Sequence, residues 1–195
     1  MGEIKSALEK ALERAASIKP DKEKLEESQY ITEGKQLAAK ILSGEEADIK
    51  KELKKYKGKQ SNWVKKGFAD TIIGNLKLPQ EKEDLQQLST LLKALKPIAA
   101  QADMIPAVEQ QLTQFFTQYL KTVEQYRQAI KQQYSGRLRE KEAQLSQQLG
   151  REVKISPEAD PEYQAIIRQN LAPIEEQYQQ HMQQIRKELK QLLGI

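Results

Sequence analysis

Apolar residues recur along this chain at spacings of three and four, the period of helices that bury one face. The first such run, over about residues 2–18, carries Ile4, Ala7, Leu8, Ala11, Leu12, Ala15 and Ile18. Pro20 stops it, and Asp21 is placed to cap a second helix, although Lys24 stands where a capping box would have Glu. That second helix, to about Ser43, carries Leu25, Ile31, Leu37, Ala38, Ile41 and Leu42, with Gly44 placed as its C-terminal glycine. Gly34 in its interior costs about 1 kcal/mol relative to Ala, a cost that points to a close helix crossing. A third helix is predicted over about residues 45–56 and ended by Gly58, with acids in its first turn and lysines in its last, as the helix dipole favours. A fourth, over about residues 62–75, holds Trp63, the only tryptophan, and a buried face of Val64, Gly67, Phe68, Ile72 and Ile73. A fifth follows Pro79 with Leu85, Leu88, Leu91, Leu92, Leu95 and Ile98, and Pro97 kinks or ends it.

Beyond Pro106 the pattern lengthens. Val108, Leu112, Phe115, Tyr119, Val123, Tyr126, Ile130, Tyr134, Leu138, Leu145 and Leu149 form one stripe, interrupted only by Gly136 and the polar stretch 139–144, where a local irregularity is expected. Gly150 closes this helix. The connection over residues 151–160 has a short strand-like alternation at Val153 and Ile155. Asp160-Pro161-Glu162 then reads as N-cap, first-turn proline and first-turn acid. The last helix places Tyr163, Ile167, Leu171, Ile174, Tyr178, Met182, Ile185, Leu189 and Leu192 on one stripe, with a bend expected at Pro173. The predicted architecture is all-α: a long, coiled-coil-like antiparallel hairpin over residues 104–195, with a group of about five shorter helices (residues 1–100) packed on it. A second flank of the hairpin, Phe116, Leu120, Ile166 and Leu193, needs cover from those helices or from another chain.

Three segments, GEIKSALEKALERAASIKPDKEKLE near the start, WVKKGF in the middle and LSQQLGREVKISPEADPEYQAIIRQNL late in the chain, resemble an uncharacterised bacterial family of small helical proteins. The resemblance spans most of the chain. It implies an all-α fold and brings no activity, ligand or site residue with it.

Composition agrees with long, narrow helices: 38% of residues are apolar and 31% charged, too little interior for a sphere, yet too periodic for disorder. The chain has no cysteine, which excludes disulfides, thiolate metal sites and cysteine nucleophiles. Residues 1–18 lack the apolar core of a secretory signal, and no stretch approaches the roughly 20 apolar residues of a spanning helix. A cytoplasmic setting is the expectation by elimination.

Candidate chemistry is sparse. His181, the only histidine, lies beside the hairpin seam, where a structural boundary role is the ordinary reading. Di-iron bundles need Glu-x-x-His pairs, and Tyr178 stands where that glutamate would be. Gly34-Lys35 lacks the flanking glycine and hydroxyl of a phosphate-binding loop. Adjacent acids such as Glu26-Glu27, Glu45-Glu46 and Glu175-Glu176 diverge by about 100° on a helix and make poor acid–base partners. The expectation is a protein that is not an enzyme and binds no cofactor or metal, although a site assembled across subunits stays open.

Charge is where the chain is uneven. Residues 1–97 hold 20 bases and 16 acids, residues 98–195 hold 12 of each, so the excess lies in the first half. Residues 50–66 alone contain Lys50, Lys51, Lys54, Lys55, Lys57, Lys59, Lys65 and Lys66 against the single acid Glu52. Such a field attracts nucleic-acid phosphates or an anionic surface, but without arginine it cannot grip a phosphate or base edge bidentately. The first helix, with its Ala-rich stripe and mixed charges, is poorly suited to a membrane interface. The glutamine-rich hairpin exterior is neutral hydrogen-bonding surface. The function expected first is therefore a helical scaffold or adaptor that meets a protein partner or a second copy of itself as a homodimer. The alternative is nucleic-acid binding through the lysines.

Overall fold

A computed structural model of the chain describes residues 22–45 and 48–195. The helix expected over residues 2–18, its Pro20 stop and the Asp21 cap lie outside the described residues. The described residues form α1 (Lys22–Leu42), α2 (Ile49–Leu53), α3 (Gly58–Gly74), α4 (Asp84–Leu95), α5 (Ile105–Leu149) and α6 (Pro161–Leu193), with short 3-10 turns after α4 and before α6 and no strand among them. The all-α class is thereby established. Two compact units divide between Thr71 and Ile72, within α3.

In the first unit, α1 ends as its sequence indicates. Gly44 adopts a left-handed φ of 83°. Its N–H donates to the Ile41 carbonyl and that of Glu45 to Lys40, which satisfies two carbonyls of the last turn. Gly34 lies where α1 crosses α3: a Cβ built there would stand 2.1 Å from the Val64 carbonyl oxygen and 2.8 Å from the Phe68 nitrogen. Gly67 answers it from α3, where a Cβ would stand 2.1 Å from the Ile31 carbonyl oxygen. The expected close crossing is thus real and two-sided. Leu37, Ala38, Val64, Phe68 and Ala69 are buried in this unit, with Ile49 and Leu53 from α2.

The third expected helix is much shorter than its sequence suggests. Asp48 has an extended backbone and its side chain accepts the Lys51 N–H at 3.1 Å, so it is the cap of α2 and not an interior residue. Gly58, expected to end that helix, instead opens α3, four residues earlier than the expected start.

In the second unit, α4 begins at Asp84, whose carboxylate accepts the N–H groups of Gln80 and Glu81, and it packs on the base of α5. Leu88, Leu91, Leu92 and Leu95 form its buried face. Phe116 of the second flank is buried and shares a cavity wall with Leu76, Leu88 and Leu91. The cover that this flank needed is supplied there by α4 and the segment before it. The Arg186 guanidinium of α6 donates to the Leu76 carbonyl and ties that segment to the hairpin.

The hairpin forms as expected, with two differences. Its long helix runs 45 residues without interruption through Gly136, despite the irregularity expected there, and α6 runs 33 residues with Pro173 inside it. A glycine costs a helix only about 1 kcal/mol, and the packing of Tyr134 and Leu138 on either side outweighs that. Tyr119, Val123 and Leu171 form one part of the seam and Ile130, Tyr134 and Tyr163 the next. Tyr126, 47% exposed, and Leu149, 57% exposed, belong to the sequence stripe but not to the seam. Tyr126 follows Val123 by three residues, which at 3.6 residues per turn sets it about 60° to one side of that seam residue. Leu149 lies beyond the reach of the shorter α6. The connection forms no strand; Val153 N–H donates to Ser146 Oγ and Ile155 N–H to Glu142 Oε1, so this backbone is satisfied by side chains of α5. Asp160 caps α6 as expected, accepting the Glu162 N–H at 2.9 Å with Pro161 in the first turn.

Candidate functional surfaces

The eight lysines of residues 50–66 fall into two groups once their neighbours are in place. Lys55 is paired with Glu52 at 2.6 Å, Lys59 with Glu23 at 2.6 Å, and Lys66 with Glu27 at 3.7 Å. Lys59 and Glu23 reinforce one another, raising the lysine and lowering the acid from their ordinary pKa values. Lys50, Lys51, Lys54, Lys57 and Lys65 form no ion pair among the described residues; the first four are exposed and Lys65 is half-buried. Burial of Ile49 and Leu53 turns Lys50, Lys51 and Lys54 outward from α2. The structure adds one residue to this surface. The hydrogen bond from Lys55 chiefly holds Glu52 below its usual range, and Lys40, exposed in the last turn of α1, adds to it electrostatically along with Lys51. Only the fold brings Lys40 beside α2, so local spacing gives no hint of it.

Beside the patch, Trp63 does not stand free. Its ring stacks on Tyr30 at 6.1 Å, and Tyr56 meets Tyr30 edge-on at 5.9 Å. Burial and a hydrogen bond to Glu33 push the Tyr56 hydroxyl up to about 12. These rings serve the packing of the first unit.

A second surface lies on the hairpin base. Val108, Phe115, Ile185 and Leu192 line a groove of about 320 Å³ with the buried Leu112 and Leu189, and Gln111 and Glu188 complete its wall. The four lining residues named first are only half-buried. Phe115 also packs against Tyr178 at 5.1 Å and lies 6.3 Å from the exposed His181 ring. His181 Nδ1 sits 2.8 Å from the Gln177 carbonyl oxygen, at the seam boundary.

A third constellation pins the connection to α5. Lys141 Nζ donates to Asp160 Oδ2 at 2.6 Å and to the Tyr134 hydroxyl at 2.7 Å, and stands 2.9 Å from Glu162 Oε2. Tyr134 donates to Asp160 at 2.8 Å, and Arg137 closes on Glu162 at 2.8 Å. Asp160 is only 4% exposed. The Lys141 ammonium holds its carboxyl at about 2, and Asp160 in turn raises Lys141. Both groups titrate far from neutrality, so the cluster joins two chain segments and is not poised to exchange protons at pH 7. Among the described residues no group of three or more His, Asp or Glu side chains could hold a metal ion, and no helix is long and apolar enough to cross a membrane.

These features place the molecule among all-helical proteins built around a long antiparallel hairpin. The chain belongs to a family of unknown function, DUF6657, whose model matches residues 50–191, from the first lysine of the patch to the last turn of the hairpin. The uncharacterised family that the sequence resembles is thereby shown. No curated protein and no solved structure matches the chain.

Proposed function

We propose that the protein is a non-enzymatic helical scaffold, acting in the cytoplasm, whose α5–α6 hairpin makes protein–protein contact, with a second copy of the chain as the partner. The groove on the hairpin base supports this reading. Val108 and Phe115 on α5 are seven residues apart, as are Ile185 and Leu192 on α6. Seven is the repeat with which side-by-side helices interlock, knob into hole. A groove with the same repeat on both walls accepts its own mate about a two-fold axis, and two hairpins together close it as four helices. Half-buried apolar side chains gain from that closure, since removing apolar area from water contributes about 25 cal/mol per Å².

Light scattering across a concentration series tests it. Wild type is expected to give a dimer mass by about 100 μM, a range that weak but specific association reaches. Phe115→Glu and Ile185→Glu, each with helical content unchanged by circular dichroism, are expected to shift the mass to monomer. A wild-type chain that stays monomeric, or a dimer indifferent to both substitutions, overturns the reading.

A further inference from the structure

The lysines left without an ion pair form a surface of their own in the first unit. We propose that Lys40, Lys50, Lys51, Lys54 and Lys57 form a binding surface for the phosphate backbone of double-stranded nucleic acid, read without regard to base sequence. Three observations carry this.

All five side chains are exposed, and none forms an ion pair among the described residues. Within the same stretch Lys55, Lys59 and Lys66 are occupied by Glu52, Glu23 and Glu27. Apart from the half-buried Lys65, the eight lysines thus resolve into three the protein uses internally and four free to neutralise an external anion. Lys40 joins the free group across the fold, around the same Glu52 that Lys51 and Lys55 surround. A cluster drawn from two helices concentrates positive potential more than a single helical face does.

The character of the surface selects among polyanions. Among the described residues the exposed large apolar side chains are Leu25, Met104, Tyr126, Leu145, Leu149 and Ile195. None of them lies within residues 40–66, so the patch has nothing to insert into a bilayer, as interfacial binding requires. Trp63, Tyr30 and Tyr56 are engaged with one another, which removes the aromatic platform on which unpaired bases stack. Lysine alone supplies point charges and lacks the planar fork that reads guanine edges. Phosphates held in the regular array of a duplex fit what remains.

Fluorescence anisotropy with a labelled DNA duplex of arbitrary sequence, on the full chain, tests the assignment. If all five lysines each neutralise a phosphate, the log–log salt slope is about −4.5, and affinity falls about 500-fold between 50 and 200 mM salt. The variant Lys50→Gln/Lys51→Gln/Lys54→Gln/Lys57→Gln is expected to lose at least about 100-fold at 50 mM salt and to flatten the slope toward about −1. A variant of equal charge change elsewhere, Lys82→Gln/Lys93→Gln/Lys96→Gln/Lys121→Gln, is expected to retain the wild-type slope. Equal loss in both variants would make net charge the cause and overturn the site. So would absence of binding at 50 mM salt, or tighter binding to phosphatidylserine vesicles than to the duplex. The wild-type slope stands as a test even if a quadruple variant fails to fold.

Discussion

Replacing Gly34 by alanine is ordinarily a favourable change inside a helix, since alanine gains about 1 kcal/mol over glycine there. Here the added methyl would meet the Val64 carbonyl oxygen at 2.1 Å and the Phe68 nitrogen at 2.8 Å. Both obstacles are main-chain atoms of α3 and neither can rotate away. An ordinary carbon–oxygen contact needs upward of 3 Å, so α1 and α3 must part by about 1 Å or tilt. Parting also loosens Leu37, Ala38, Val64 and Phe68, which close packing currently seals from water. Overpacking of this kind costs about 1–3 kcal/mol, and the rigid obstacle puts it at the upper end. After the propensity gain is subtracted, Gly34→Ala is expected to destabilise the first unit by about 2 kcal/mol, or about 8–16 °C in Tm for a unit of this size. Trp63 makes a convenient reporter, because it stacks on Tyr30 across these two helices. Its emission, followed through thermal and urea unfolding, should show the shift. Gly67→Ala should cost a similar amount, and the double variant less than the sum, because helices already separated by one methyl admit the second more readily. A Gly34→Ala protein as stable as wild type would refute the crossing.

Gly136 supplies the opposite sign: a Cβ there meets nothing within 4 Å, so Gly136→Ala in the second unit should raise stability by about 0.5–1 kcal/mol in the same denaturation assays. A loss instead would mean that α5 is not an ordinary helix at that point. The acid limb of stability should report Asp160. Lys141 lowers its carboxyl from 3.8 to about 2 in the folded state. The stabilisation is therefore complete above about pH 4 and disappears as the pH falls through 2, where the folded carboxylate takes up its proton. Asp160→Asn should flatten that limb in far-UV circular dichroism titrations, and an unchanged limb would show that other carboxylates govern it.

Much of this fold is legible in the sequence because its helices are long and their apolar repeats unambiguous. Gly34 is the clearest case, since an unfavourable residue inside a strong helix implied a close neighbour, and the α3 backbone at Val64 and Phe68 proved to be that neighbour. Asp160-Pro161 carried its meaning just as locally. What the sequence could not convey depends on partners distant along the chain. Asp48 could not be recognised as a cap while Glu45 and Glu46 looked like a first turn. Lys59 and Lys66 could not be discounted until Glu23 and Glu27 of α1 were brought to them, nor could Lys40 be added, whereas Lys55 meets Glu52 only three residues away. The hairpin groove is hidden for a related reason, as Val108 and Leu192 read as seam residues like any other, and only packing shows that they stay half-covered.

The unequal arms of the hairpin have a consequence for what the protein can accommodate. The first arm outruns the second by a dozen residues, about 18 Å of helix. The returning chain crosses that distance anchored at Ser146 and Glu142 before it reaches Lys141 and Tyr134, and only then does pairing of the two helices begin. Register is therefore fixed by an anchor well inside the bend. Residues spliced in at the bend would lengthen the tip and leave every seam contact in place, whereas one residue added after Asp160 would rotate the whole second arm by about 100°. The tip can diversify in length and composition while the body of the hairpin stays constant, which makes it a natural graft point for a tag, a label or a borrowed recognition loop.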